Sequence, residues 1–316
     1  MIKLVSIIIP VFNEVDAIEK LVENTQNLRN LGLNFDYEII IVDDGSTDGT
    51  GATLKEMQLT NQNLDVVSLV RNYGQSTALQ AGFDHSTGDV LITMDGDLQN
   101  DPADIPKIID VLKNNNEIDL VAGWRKDRQD SVLNRKLPSM FANYLISYTT
   151  GIKLRDYGCS LKGYRRELVS KFRLYGEMHR FIPAIAAEVG AKIIEIPVKH
   201  HPRKTGKSKY GIDRTLRVIL DLIWIQFSRR YMHRPIHAFG GIGLTMLSAG
   251  LLIFLWLFFE KVFLGSEIGT RPLLTLGLLL TLLGTQLLAV GLLGELLIRI
   301  YHEPSGRKQY QVKLKK

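Results

Sequence analysis

Asp95-Gly96-Asp97-Leu98-Gln99 sets two carboxylates two residues apart, directly behind the apolar run that ends at Met94. Carboxylate and amide oxygens grouped at a strand end suit a hard divalent ion, Mg2+ or Mn2+. Such an ion would bridge a diphosphate and neutralise the charge of a leaving group. An Asp-Gly pair alone often marks only a turn, so its setting has to decide. A second cluster, Asp43-Asp44-Gly45-Ser46-Thr47-Asp48, follows another apolar run. Ser46 or Thr47 suits the N-cap of a following helix. Two adjacent acids exceed what capping needs, and one of them can accept hydrogen bonds from a base or ribose. His85, His179, His200 and His201 show no metal-ligand spacing. No Walker A loop and no G-x-G-x-x-G occurs, which argues against a P-loop NTPase or a dinucleotide enzyme.

The elements that would position these clusters alternate along residues 4–124. Leu4–Pro10, Glu38–Asp43, Asp65–Val70, Val90–Asp95 and Leu120–Gly123 read as strands, rich in Ile and Val and bounded by Asp, Asn or Gly. Asp16–Asn30, Thr47–Leu59, Gln75–Ser86 and Ala103–Asn114 read as helices. Continuous apolar strands separated by helices predict an α/β fold with a mostly parallel sheet covered on both faces. Ligands of such sheets gather at the carboxyl ends of the strands. Asn13-Glu14, Asp43-Asp44 and Asp95–Gln99 all follow strand ends, and that coincidence weighs more than any one cluster. Residues 125–200 are less regular, with an amphipathic helix expected over Leu133–Thr150.

Two apolar runs near the end, Ala238–Phe259 and Leu273–Gly294, each hold 22 residues without Asp, Glu, Lys or Arg. At ~1.5 Å per residue each spans about 33 Å, enough for a hydrocarbon core of roughly 30 Å. Residues 1–198 carry 21 Lys+Arg against 27 Asp+Glu, whereas 199–234 carry 10 against 2. Aromatic interleaving and nucleic-acid motifs are absent from that basic stretch, so anionic lipid headgroups or phosphate substrates explain it better than a nucleic acid. Gly211–Phe227 has apolar residues at helical spacing and reads as an interfacial helix. The expected organisation is a catalytic domain over 1–209, interfacial helices over 210–235, and two membrane helices within 236–300 (about 238–259 and 273–298). A basic tail over 301–316 completes it. Cys159 is the single cysteine, which points to a cytosolic catalytic part. Arg229, Arg230 and Arg234 precede the first run, and Arg299, Arg307, Lys308, Lys313, Lys315 and Lys316 follow the second. The connecting loop has only Lys261 and Arg271. The positive-inside rule then puts both termini in the cytoplasm of a multi-pass inner-membrane protein. Glycines in both runs would allow close helix packing and are compatible with a homo-oligomer.

The stretches IIIPVFNE, IIIVDDGSTDGT, RNYGQSTALQAGF and MDGDLQND, with RKTGKSKY and LLGELLIRIYHE further on, resemble the GT-A glycosyltransferases of family 2. The resemblance covers nearly the whole chain. It is closest to polyprenyl-phosphate glycosyltransferases with two C-terminal spans, including bactoprenol glucosyltransferases and undecaprenyl-phosphate aminoarabinose transferases. Dolichol-phosphate mannose synthases are relatives of these. It implies a GT-A domain followed by a membrane hairpin. It also implies inverting transfer from a UDP-sugar, with UDP-glucose favoured, to polyprenyl phosphate. A UDP-aminoarabinose derivative, a UDP-N-acetylhexosamine or GDP-mannose are alternative donors. Pro10, Phe12, Glu14 and Asp44 match the base and ribose pocket. Asp95, Asp97 and Gln99 match a site for Mg2+ or Mn2+ and the diphosphate. Arg125, Arg135 and Ser139 match acceptor-phosphate positions, and Asp156 matches an acid near the reacting centre. Arg203, Ser208 and Lys209 match an R-x-x-G-x-S-K segment that closes over the donor. A tetramer is the oligomer the glucosyltransferase relatives imply. Two other readings remain open at this point: a processive synthase, against which two spans and a missing Q-x-x-R-W argue, and a membrane adaptor with a nucleotide-binding transferase-like domain.

Overall fold

The computed structural model describes residues 2–28, 35–126, 147, 151–202, 227, 231 and 235–302. It comprises two compact units that divide between Leu222 and Ile223. The helices expected over Leu133–Thr150 and Gly211–Phe227 lie outside the described residues, apart from Ser147 and Phe227.

The first unit is a mixed seven-stranded sheet in the order β3-β2-β1-β4-β6-β5-β7. The strands are β1 (Leu4–Val11), β2 (Asp36–Asp43), β3 (Leu64–Ser68), β4 (Val90–Thr93), β5 (Leu120–Arg125), β6 (Lys162–Arg165) and β7 (Ile193–Val198). Only β6 runs antiparallel, inserted between β4 and β5. Helices α1 (Val15–Gln26), α2 (Thr50–Thr60), α3 (Gln75–His85) and α4 (Ile105–Asn114) connect the first five strands. All five predicted strands and four predicted helices are present, with ends shifted by a few residues. The helix expected to start at Thr47 starts at Thr50, and that expected at Ala103 starts at Ile105 behind a 3-10 turn, Pro102–Asp104.

Alternation of side chains divides the core between the two faces of the sheet. Ile7, Ile9 and Ile41 pack with Ile18 and Leu21 of α1 and Ile108, Ile109 and Leu112 of α4. Ile8, Ile40 and Val42 pack on the other face with Leu79 and Phe83 of α3 and with Ile182 and Ala186 further on. Both faces are covered, so the strands are apolar throughout, as a buried parallel sheet requires. From β1 the chain winds outward through β2 to β3; α3 then returns it to β4 on β1's other side. The β1/β4 boundary is therefore the topological switch point, where a crevice opens at the strands' carboxyl ends.

The second unit contains two helices, Pro235–Leu264 and Pro272–His302, each with a segment long and apolar enough to cross a membrane. They are apolar around most of their circumference, with Leu252, Trp256 and Phe263 all exposed. Lipid contact on all outward faces suits that pattern. Glycines set their mutual approach. A methyl built on Gly284 would lie 2.5 Å from the Leu247 nitrogen and 2.7 Å from the Gly243 carbonyl oxygen. One on Gly250 would lie 2.9 Å from the Gly277 carbonyl oxygen. At the loop end, Glu260 pairs with Arg271 and accepts from Trp256 Nε1 at 3.2 Å.

Candidate active site

Parallel hydrogen bonding continues past the formal strand ends and delivers the acidic loops side by side. Asp44 N donates to the Val11 carbonyl at 2.9 Å, and Met94 N donates to the Ile8 carbonyl at 3.1 Å. Asp44 is buried, and its two carboxylate oxygens accept from Tyr73 N at 2.8 Å and Gly74 N at 2.9 Å. Burial raises the Asp44 pKa; those two bonds oppose the rise, and neighbouring Asp43 adds to it. Ser46 and Thr47 do not cap α2, which begins behind Gly49 without a side-chain cap. They are tied instead to the loop after β1. Asn13 N donates to Ser46 Oγ at 2.9 Å, and Thr47 N donates to Asn13 Oδ1 at 2.8 Å. Asn13 adopts φ 53°, a left-handed conformation that Asn tolerates.

The Asp95–Gln99 turn is held just as closely. Gln75 Nε2, at the start of α3, donates to Asp95 Oδ1 at 2.7 Å. Asp97 Oδ1 accepts from Gln99 N at 3.2 Å. The glycine between the two acids is dictated by β1, because a methyl on Gly96 would sit 2.6 Å from Val11 Cγ1. Leu98 carries φ 60°, costly for a branched side chain and fitting a turn whose shape is fixed by its surroundings. Gln99 binds the stretch after β7: its Nε2 donates to the His201 carbonyl at 3.4 Å, and His201 N donates to the Gln99 carbonyl at 2.8 Å.

Arg125 and Asp156, which the sequence assigned to separate tasks, form a single bidentate pair. Arg125 Nε donates to Asp156 Oδ2 at 2.6 Å and Nη2 to Oδ1 at 2.8 Å. Burial works to raise the Asp156 pKa, but the Arg125 hydrogen bond and charge outweigh it and hold the carboxyl below its usual range. Asp156 N also donates to Glu195 Oε1 at 3.0 Å, which anchors the loop to β7. The neighbouring Arg155 lies over the Trp124 ring at 4.3 Å. Arg135, Ser139, Arg203, Ser208 and Lys209 lie outside the described residues.

At the β1/β4 switch point these loops enclose a cleft of about 260 Å3. Pro10, Phe12, Glu14, Asp44, Asp95 and Asp97 line it, all singled out in the sequence; Gln99 is not among the lining residues. Gln75, Glu177, His179 and Arg180 line it as well: Gln75 belongs to the RNYGQSTALQAGF stretch, whereas Glu177, His179 and Arg180 fell in no motif. Five carboxylates (Glu14, Asp44, Asp95, Asp97, Glu177) face one arginine, Arg180, among the described lining residues. Such a cleft repels a diphosphate unless a cation accompanies it. No three His, Cys, Asp or Glu side chains gather into a metal cage among the described residues. Asp95 and Asp97 nonetheless suit Mg2+, which takes one or two carboxylates and completes its shell with phosphate oxygens and water.

Comparison with known proteins places the site in a lineage. Residues 6–173 match the family "Glycosyl transferase family 2", a span that includes Asp44, Asp95, Asp97, Arg125 and Asp156. The chain belongs to that family. This glycosyltransferase is 46% identical to the dodecaprenyl-phosphate galacturonate synthase of Rhizobium johnstonii over 311 residues, 98% of this chain and 91% of the relative. It is 36% identical to the undecaprenyl-phosphate 4-deoxy-4-formamido-L-arabinose transferase of Edwardsiella ictaluri over 311 residues, 98% and 93% of the two chains. In three dimensions it is similar to glucosyl-3-phosphoglycerate synthase from Mycobacterium tuberculosis, solved with Mn2+, UDP and phosphoglyceric acid. That match has a TM-score of 0.55 at 20% identity, covering 72% of the glycosyltransferase and 78% of the solved chain. It establishes the shared GT-A fold of the sheet unit.

Proposed function

We propose that this glycosyltransferase moves a sugar from a UDP-sugar to a polyprenyl phosphate at the inner-membrane surface, forming a sugar-phosphoryl-polyprenol and UDP. One observation carries the reading. A carboxylate-lined cleft at the β1/β4 switch point and two helices able to cross a bilayer occur in one chain. The polyprenyl-phosphate names of two relatives matched over 98% of the chain support it. In this reading Pro10, Phe12, Glu14 and Asp44 hold base and ribose. Asp95 and Asp97 would hold a divalent cation that neutralises the departing diphosphate. Gln99, bonded to His201, positions that turn. Arg203, Ser208 and Lys209 close over the donor. A glucosyl donor is what the sequence suggested, yet the relatives are named for galacturonate and a formamido-arabinose.

The acceptor is a phosphate monoester with a second pKa near ~6, so it is largely dianionic at neutral pH. It needs alignment and charge neutralisation more than a base. A phosphate oxygen attacks C1, the bond from C1 to the diphosphate breaks, and UDP leaves with the electron pair, inverting the anomeric carbon. Arg125, held rigid by Asp156, faces the attacking phosphate together with Arg135 and Ser139. The polyprenyl chain stays in lipid beside the two helices, with the catalytic unit and both chain ends on the cytoplasmic side. A homo-oligomer, with a tetramer as the expected form, would have to use helix faces other than the glycine seam inside the hairpin.

The test is the detergent-purified full chain incubated with labelled UDP-sugars, polyprenyl phosphate and Mg2+. An organic-extractable labelled lipid is expected. Transfer to a water-soluble alcohol, or donor binding without a lipid product, would overturn the reading.

A further inference from the structure

A second cavity of about 70 Å3 lies beside the donor cleft. Gln75, Asp95, His179 and Arg180 line both, so the two adjoin along that edge. The smaller chamber runs inward from Asp95 to Thr93, Lys162 and Tyr164. Its size suits one substituent of a sugar ring. Its charge is opposite in sense to the cleft's: Lys162 and Arg180 stand against Asp95 alone among the described lining residues. Lys162 is only 3% exposed, and its Nζ donates to the carbonyls of Cys159 and Tyr157. Burial lowers the Lys162 pKa, while the nearby carboxylates of Asp156 and Asp95 favour its charged form, as a further anion entering the chamber would.

Arg180 is fixed at the boundary between the two spaces. It lies in the 3-10 turn Met178–Phe181, with Phe181 fully buried next to it. His179 pins the same turn to α3, its backbone N donating to Ser76 Oγ at 3.0 Å and its Nδ1 meeting that oxygen at 2.9 Å. Glu177 Oε2 holds Arg180 Nη2 at 2.8 Å, and the side chain is 14% exposed. A planar guanidinium set in one orientation recognises a carboxylate through paired hydrogen bonds.

We propose that Arg180 selects the donor by reading an anionic substituent of the transferred sugar, a uronic acid carboxylate, that enters the Lys162 chamber. This rests on the sugar-transfer reading above and names its donor class. A sugar whose diphosphate lies at Asp95 and Asp97 has its ring against Asp95, the residue shared by both cavities. A C6 carboxylate then reaches Arg180, with the Lys162 charge behind it; a hydroxymethyl group would leave both cations facing a neutral group. The same guanidinium chemistry would also suit the donor's diphosphate, and the experiment separates the two sources.

Calorimetric titration of the full chain in detergent with Mg2+ compares UDP, UDP-galactose and UDP-galacturonate, with no acceptor present. The wild type should bind UDP-galacturonate roughly ten- to a hundredfold more tightly than UDP-galactose, the range of a charged hydrogen-bonded contact. Arg180→Gln should erase that preference and leave UDP affinity unchanged, which also reports an intact fold; Arg180→Lys should keep part of it. A wild type without preference, a preference that survives Arg180→Gln, or an equal loss of UDP affinity in that variant would each overturn the proposal. Because these titrations need no acceptor, a missing lipid product counts against the transfer reading and not against this one.

Discussion

Asp95 and Asp97 sit on one short turn but are held by different neighbours, Gln75 and the Gln99 backbone. Removing Asp97 deletes a cleft carboxylate together with its hydrogen bond from the Gln99 backbone, a bond worth about 1 kcal/mol. Asp97→Ala should lower lipid product formation by roughly a hundred- to a thousandfold, the scale of losing a metal's charge stabilisation. Its melting behaviour should stay near wild type. Near-normal turnover in a divalent-dependent assay would remove Asp97 from the metal site. The Arg125–Asp156 pair behaves differently, since both side chains are largely buried. Asp156→Ala leaves Arg125 buried without its carboxylate, which costs roughly 3–5 kcal/mol. Arg125→Met with Asp156→Leu should recover much of that stability without recovering transfer, and thermal melts beside activity assays check both. The Asp156 pKa is lowered on folding, so as pH falls the unfolded chain takes up the proton first. The pair's contribution is then complete above roughly pH 4 and fades only below it, as pH drops through the lowered value. Melts of wild type and Asp156→Ala across that range should converge only on the acid side. Asp44, Asp95 and Asp97 were legible because acids clustered behind apolar strands stand out in a sequence. The Arg125–Asp156 pair was not, because only the fold brings together residues 31 positions apart.

At the scale of elements, β1 to β5 are legible because a sheet covered on both faces needs unbroken apolar strands. The antiparallel β6 left no such trace. It is Lys162-Gly163-Tyr164-Arg165, and its first residue is the buried lysine of the inner chamber. Gly163 is required there because a methyl would lie 2.3 Å from Ile108 Cγ2 of α4. Packing and site chemistry thus displaced the β-branched pattern that would have marked it. β7 carries that pattern in Ile193, Ile194, Ile196 and Val198, but Glu195 and Pro197 interrupt it. Its place at the sheet edge explains why Pro197 is tolerated. The apolar helices were legible from composition and their close packing from the glycines in both runs; which of those glycines meet the facing helix was not. Gly284→Leu would drive a side chain into the Leu247 backbone and should cost roughly 1–3 kcal/mol or more. A methyl built on Gly241 meets nothing within 4 Å, so Gly241→Leu should be tolerated. Thermal unfolding of the two variants in one detergent tests this, and equal behaviour would place the hairpin seam elsewhere.

For the whole molecule, the proposed reaction depends on which way the hairpin faces. The flanking basic residues outnumber those of the short loop, where Arg271 is already paired with Glu260. Positive charge near the ends of spans is retained on the cytoplasmic side, so the proposed orientation turns residues 265–271 outward. The chain carries a natural aid to testing this. Cys159 is its one cysteine, fully buried, and burial pushes its thiol up to about 11. A thiol kept protonated and shielded reacts slowly with maleimides, so the native background should be nearly silent. Glu267 is exposed in the loop, and Lys313 lies in the basic tail. In intact cells, a membrane-impermeant maleimide should label Glu267→Cys and leave Lys313→Cys unlabelled until the membrane is opened. Both variants should retain lipid product formation. The reverse labelling order would put the catalytic unit on the far side of the bilayer, away from a cytoplasmic supply of UDP-sugar. The proposed reaction would then lose its donor even with every carboxylate of the cleft in place.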